Sequence, residues 1–200
     1  MTELAGSHQG EIVPLGPVRN EPAETLSAEL IRILKPELCT DQQTYSDFIQ
    51  RVQQGGLTRK EDTATHFGVF ILPRDVSTGE VLLVFHKKAR DWISAGGHME
   101  KGETTTQTLR REGEEELGLV VQEAYREPFF FSTVEIDNPK RPCKKHYDVW
   151  YLVDVSKEDL GQSLSDEFTQ VAWIKPEEAL ERKDITDPST LEALRRVKQS

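Results

Sequence analysis

The spacing of apolar residues divides the chain in two. Between residues 23 and 54, Leu26, Leu30, Ile33 and Leu34, then Tyr45, Phe48, Ile49 and Val52, recur every three or four positions. That period predicts two helices, broken near Pro36 and ended by Gly55 and Gly56. From Leu57 onward the pattern changes. Residues 65–72 and 81–85 are β-branched and aromatic runs separated by a turn at 75–79, which predicts a hairpin. A loop through Trp92 leads into a helix over about 104–117, with Gly118 placed as its C-cap. Strands are predicted at 120–126, 129–136, 146–155 and 168–174, and helices after Pro176 and Pro188. Strands and helices mix without strict βαβ alternation, so the fold class is α+β, a mixed sheet flanked by helices. Residues 1–22 carry Gly, Pro and polar residues without a hydrophobic period and read as a loose N-terminal arm. Residues 23–56 form a helical extension expected to pack on the main domain, 57–200.

A chain of 200 residues, 36% apolar and 30% charged, suits one globular domain with a small appendage. No apolar run approaches the ~20 residues of a membrane span, and no basic segment followed by an apolar core marks a secretory signal. A cytoplasmic protein without membrane partners is expected. The formal charge is −10, from 25 basic and 35 acidic residues, and this argues against a nucleic-acid partner. A small anionic substrate would need local basic groups or a bound cation to offset the repulsion. Cys39 and Cys143 lie far apart without an evident metal-binding Cys or His spacing, so inert thiols are expected.

The chemistry concentrates in GGHMEKGETTTQTLRREGEEELGL, residues 96–119, a Gly-rich loop running into a helix. At ~100° per residue, Glu112, Glu115 and Glu116 fall within an arc of about 100°, and Glu114 lies on the far side. Glu116 flanks the apolar stripe of Leu109, Gly113 and Leu117 and should be partly withdrawn from water. Like charges at these spacings cost a helix ~0.2–0.5 kcal/mol per pair, more when buried. A hard divalent cation, which prefers carboxylate and carbonyl oxygens, would relieve them. Arg111 can grip Glu103 through its guanidinium fork and fix loop against helix.

Gly97, five residues, Glu103, seven residues, Arg111-Glu112, two residues, Glu115-Glu116, one residue, Gly118 and Leu119 form a long pattern with many fixed positions. It resembles the Nudix box, and the order of strands around it resembles the Nudix fold, an α/β/α sandwich. The N-terminal helices lie outside that resemblance. One position departs from it: the family usually has an aliphatic residue or Ala where this chain has Gly113. A helix-interior Gly costs ~1 kcal/mol relative to Ala and either loosens the helix or permits closer packing.

The resemblance implies hydrolysis of a nucleoside diphosphate linked to another group, with Mg²⁺, or Mn²⁺, held by Glu112, Glu115, Glu116 and the carbonyl of Gly97. Water would attack phosphorus in line, and a carboxylate would take its proton. Family members differ in which one does so. Glu115 or Glu112 is the candidate within the box. Glu167, just ahead of the last strand, resembles the loop glutamate used by other members, and is otherwise an ordinary turn acid.

Substrate contacts are open to two readings each. His86, Lys87, Lys88 and Arg90 offer positive charge to a phosphate or form a solvated loop. Trp92 stacks on a base or sugar, or belongs to the core. His98 meets substrate, caps the helix or faces solvent. The strand 146–155 alternates, putting Tyr147, Val149, Tyr151 and Val153 toward the core and His146, Asp148, Trp150 and Leu152 on the other face. His146 and Asp148 there suggest a cleft wall. The GGH loop with this His-x-Asp strand resembles a bacterial group of the family with a poorly defined substrate. The competing function is a Nudix-like nucleotide-binding regulatory module without turnover, which loss of box carboxylates would favour; none is lost. A monomer or homodimer is expected.

Overall fold

The computed structural model describes residues 25–199 apart from 123, 124, 126, 138, 141, 162 and 163. The expected N-terminal arm lies outside the described residues. Thr25 caps α1 (Leu26–Ile33) and Asp41 caps α2 (Gln42–Gln54), each side chain accepting a hydrogen bond from the backbone three residues on. A short 3₁₀ turn, Pro36–Leu38, stands between them.

Among the described residues, seven strands then build one mixed sheet: β1 (Thr65–Asp75), β2 (Val81–His86), β3 (Asp91–Ile93), β4 (Ala95–His98), β5 (Phe130–Glu135), β6 (Lys145–Val155) and β7 (Phe168–Ile174). The central pair, β1 and β6, is parallel over its whole length, and the remaining pairings are antiparallel. Because β6 occupies one edge of β1 throughout, β4 and β2 share the other edge, β4 beside residues 68–71 and β2 meeting it at Arg74. Helix α3 (Thr105–Leu117) follows β4, and α4 (Pro176–Glu181) and α5 (Pro188–Gln199) close the chain.

Alternation along β1 and β6 feeds two cores. Phe67, Val69 and Ile71 of β1 with Tyr147, Val149, Tyr151 and Val153 of β6 pack against Leu30 and Ile33 of α1, Phe48 and Val52 of α2, and Leu109 and Leu117 of α3. On the other face Leu72, Leu83, Phe130 and Trp150 pack against Ala179 of α4 and Ala193, Leu194 and Val197 of α5. Each of the larger aliphatic and Phe side chains contributes about 1.5–3 kcal/mol when fully buried. The N-terminal helices are therefore one wall of the main core.

Two expectations change. The stretch through Trp92 is not a plain loop, since β3 and β4 form there by pairing with β2 and β1. The segment 120–126 holds no strand among its described residues; the chain leaves α3 through the left-handed Gly118, and Leu119 N–H bonds back to the Gly113 carbonyl. Its apolar Leu119 and Val121 serve the core from an irregular backbone.

Candidate active site

Helix α3 begins with a capping box in which Thr104 and Gln107 exchange side-chain and backbone hydrogen bonds. This fixes the first turn and leaves Arg111 facing the loop. Its guanidinium takes Glu103 in a fork, at 2.8 and 3.1 Å, reaches Glu112 at 2.7 Å and Glu115 at 3.2 Å, and donates to the His98 carbonyl at 3.1 Å. One cation thus ties the loop to two box carboxylates. Burial opposes ionisation of Glu103, yet bonds from Arg111, the Glu100 backbone and Thr108 outweigh it and hold the carboxyl at about 2.

Glu112 is 7% exposed and burial raises its pKa against the pull of Arg111. Burial likewise pushes Glu116 up to about 8, although the Gly96 N–H donates to its Oε2 at 2.7 Å. Glu114 and Glu115 are both exposed on the outer part of the helix, Glu115 held by Arg111. The glycines of the loop are needed for contact: a Cβ on Gly97 would stand 2.3 Å from Glu112 Oε1, and one on Gly96, at φ 144°, would stand 2.2 Å from the Val69 carbonyl oxygen. Gly97 pairs with Val69 in the sheet and lies directly beside Glu112, while the neighbouring Gly96 reaches Glu116 through its amide.

A cavity of about 530 Å³ opens beside this loop. Gly96, Gly97, His98 and Glu116 line it on one side, His146, Asp148 and Cys143 on another, and Lys88, His86 and Glu167 on a third. Glu167 is bound by His86 at 3.1 Å and by Lys88, and the Lys88 contact is the main cause of its lowered pKa. Lys87 turns instead to the Asp166 carbonyl. Trp92 does not face the cavity. It is 6% exposed within the second core, donates to Asp184 at 3.2 Å and carries the Arg182 guanidinium 4.7 Å from its ring centre. The core reading of this residue holds because β3 pairing turns it toward α4 and α5.

Asp148 is 1% exposed, and its Oδ1 has no hydrogen-bond partner among the described residues. Burial, with Asp187 nearby, raises its pKa well above the ordinary value of an aspartate. His98 is held down to about 4, chiefly by burial. The sequence reading missed two neighbours of these groups, His66 and Cys143. His66 has no local signal, but Cys143 and His146 stand at Cys-x₂-His spacing, which was there to be noticed.

The helices on both faces of a mixed sheet, with an acidic helix meeting a glycine loop at the cavity, define an α/β/α sandwich built around a carboxylate site. The NUDIX domain model matches residues 63–194, and the chain belongs to the Nudix hydrolase family. The match includes the glycine loop, α3 and Glu167, and begins after α2. The Salmonella typhi protein described as uncharacterized Nudix hydrolase YfcD is 28% identical over 137 residues, 64% of this chain and 68% of that one. Nucleoside triphosphatase NudI of Enterobacter sp. (strain 638) is 28% identical over 102 residues, 50% of this chain and 72% of that one. In fold, the chain is similar to the E. coli dihydroneopterin triphosphate pyrophosphohydrolase, with TM-score 0.53 and 17% identity over 67% of this chain and 96% of that one. No helix among the described residues is long and apolar enough to cross a membrane.

Proposed function

We propose that the protein is a Mg²⁺- or Mn²⁺-dependent pyrophosphohydrolase that cleaves the phosphoanhydride of a nucleoside diphosphate linked to another group. The observation that carries this reading is the buried carboxylate of Glu112 and the half-buried one of Glu116, packed against a loop that must be glycine. Three carboxylates on one helix face form an all-oxygen donor set of the kind hard divalent cations prefer, and Glu112, Glu115 and Glu116 would hold the ion. When bound it supplies charge neutralisation on the phosphates and activation of water.

The remaining work falls to the chain itself. Arg111 keeps Glu112 and Glu115 at a fixed spacing from the loop. Lys88 and His86 keep Glu167 ionised and aimed along the cavity wall, where it can accept a proton from water. Glu115 is turned outward onto Arg111, which makes Glu167 the better placed acceptor of the two. The relative named a nucleoside triphosphatase puts nucleoside triphosphates first among substrates to try.

The test is a panel of nucleoside triphosphates, dinucleoside polyphosphates and nucleotide sugars, each with and without divalent metal. Turnover should require the metal and fall by at least ~100-fold in the Glu112→Gln, Glu116→Gln double variant, since even groups that only support a metal ligand are worth ~10–100-fold. Binding of a panel member without turnover in any metal would favour the regulatory-module reading instead.

A further inference from the structure

Away from the glutamates, three strands bring imidazoles to one spot. His66 is the second residue of β1, its register partner His146 the second of β6, and His98 ends β4 opposite Gly68. Residues two apart share a sheet face, so His66, His98, His146 and Asp148 all project on the side of Gly68. Gly68 has no side chain to fill the space between them. A Cβ there would stand 3.4 Å from Asp148 Oδ1.

The ring centres form a nearly equilateral triangle, 4.7 Å from His66 to His98, 4.8 Å from His66 to His146 and 4.9 Å from His98 to His146. One nitrogen from each ring lies within 4.8 Å of the others. His66 Nδ1 is 3.0 Å from the Asp62 carbonyl oxygen, which can only accept, so the proton sits on Nδ1 and Nε2 presents a lone pair to the cluster. His98 Nε2 and His146 Nε2 are 3.3 Å apart. Cys143 completes the group, with Sγ 2.7 Å from His146 Nε2 and 3.6 Å from His66 Nε2.

We propose that His66, His98, His146 and Cys143 form a tetrahedral site for a borderline-soft divalent ion of the Zn²⁺ class, separate from the glutamate site. Metal–nitrogen bonds of ~2.0–2.1 Å and a metal–sulfur bond of ~2.3 Å in a tetrahedron require edges of ~3.3 Å between nitrogens and ~3.6 Å between nitrogen and sulfur. The His98–His146 and Cys143–His66 separations already have those lengths, the Cys143–His146 contact must open, and the other donors, the imidazoles lying within 4.8 Å of one another, must draw in. The Asp62 carbonyl on His66 is the outer hydrogen bond that metal-bound imidazoles use to fix their ring. Asp148 Oδ1, buried on the same face and without a hydrogen-bond partner among the described residues, independently points to a missing positive centre.

The two donor sets select different ions. Three imidazoles and a thiolate favour Zn²⁺ strongly over Mg²⁺, whereas the all-oxygen glutamate set suits the hard ions Mg²⁺ and Mn²⁺. With four protein ligands the site is closed, so its ion is structural: it would pin β1, β4 and the residues ahead of β6 together and, through His98, hold the glycine loop beside it.

Co²⁺ is a suitable probe, because its visible spectrum reports geometry and a thiolate ligand adds a charge-transfer band. The full-length protein, stripped with chelator and returned to millimolar Mg²⁺ to fill the glutamate site, should bind one Co²⁺ with intense tetrahedral bands and the thiolate band. Zn²⁺ should displace it. Cys143→Ser should lose the thiolate band, and His146→Asn should weaken Co²⁺ binding by at least ~10–100-fold. Glu112→Gln with Glu116→Gln should leave the spectrum intact even where hydrolysis is lost, which separates this site from the proposed function. Should His146→Asn fail to fold, the unsubstituted protein decides alone: weak octahedral bands, or Co²⁺ lost to excess Mg²⁺, would overturn the proposal and leave the imidazoles as a hydrogen-bonded cluster.

Discussion

Glu29 of α1 accepts hydrogen bonds from both the amide and the hydroxyl of Thr105, at 2.8 and 2.7 Å, in the first turn of α3. The Thr105 hydroxyl also meets Tyr151 at 2.7 Å, so the N-terminal helix, the box helix and the central sheet share one buried contact. A carboxylate at a helix N-terminus is also favoured by the helix dipole. Glu29→Ala strands the Thr105 amide in the interior at a cost of about 1–3 kcal/mol. For a chain of this size each kcal/mol lowers Tm by about 2–4 °C. Calorimetry that finds Tm unchanged would show that the extension does not hold the box helix.

Gly113 stands where Ala would ordinarily improve a helix by ~1 kcal/mol. Here a Cβ would lie 2.8 Å from Val121 Cγ2 and 3.3 Å from the Leu119 carbonyl oxygen, and Val121 is a stiff side chain on the chain's return path. Overpacking costs about 1–3 kcal/mol and outweighs the gain. Gly113→Ala should therefore destabilise the protein, yet stabilise it when made in a Val121→Ala background. Denaturant unfolding of the four proteins tests this, and simple additivity would contradict the close-packing account.

Acid and base should act on the metal-free protein in an unusual direction. Glu116, ordinarily at 4.5, sits at about 8 when folded, so the folded state binds the proton more tightly than the unfolded state does. Its contribution is full below 4.5 and is lost as pH rises to 8. His98, lowered from 6.5 to about 4, works oppositely, but only between those values. Glu103, at about 2, matters only below 4.5. Between pH 6.5 and 8 the Tm of chelator-treated protein should fall, the Glu116→Gln variant should show a flatter slope, and saturating Mg²⁺ should reverse the trend. A slope identical in the variant would remove Glu116 as its source.

The sequence was most informative where function depends on spacing along one element. Glu112, Glu115, Glu116 and the Arg111 to Glu103 grip are all within one loop and one helix, and helical geometry alone sorts them. The helices and most strands followed from local periodicity for the same reason. What escaped depends on strand register between distant segments. Nothing near His66 says that it will lie beside His146, which is set by the parallel pairing of β1 with β6. Trp92 left two readings open because the short β3 pairing that buries it carries no period of its own. The strand expected at 120–126 follows directly on the cap that Gly118 and Leu119 make on α3, and the Tyr125 amide turns back locally to the Gln122 carbonyl.

Arg111 offers the sharpest test of how the box is held. Its guanidinium spans Glu103, Glu112, Glu115 and the His98 carbonyl at once, and a lysine ammonium keeps the charge without the fork. Arg111→Lys should lower kcat/KM by about 10–100-fold, the range for residues that orient metal ligands. Because the proposed role is to set carboxylate spacing, the metal concentration for half-maximal activity should rise, and added Mg²⁺ should recover part of the loss. Glu103→Gln should reproduce much of the effect, and the double variant should lose less than the product of the single losses, since both act through one contact. An arginine that instead touched the substrate phosphates would raise KM at every metal concentration and combine multiplicatively with Glu103→Gln, and that outcome would move Arg111 from the support of the site into the site itself.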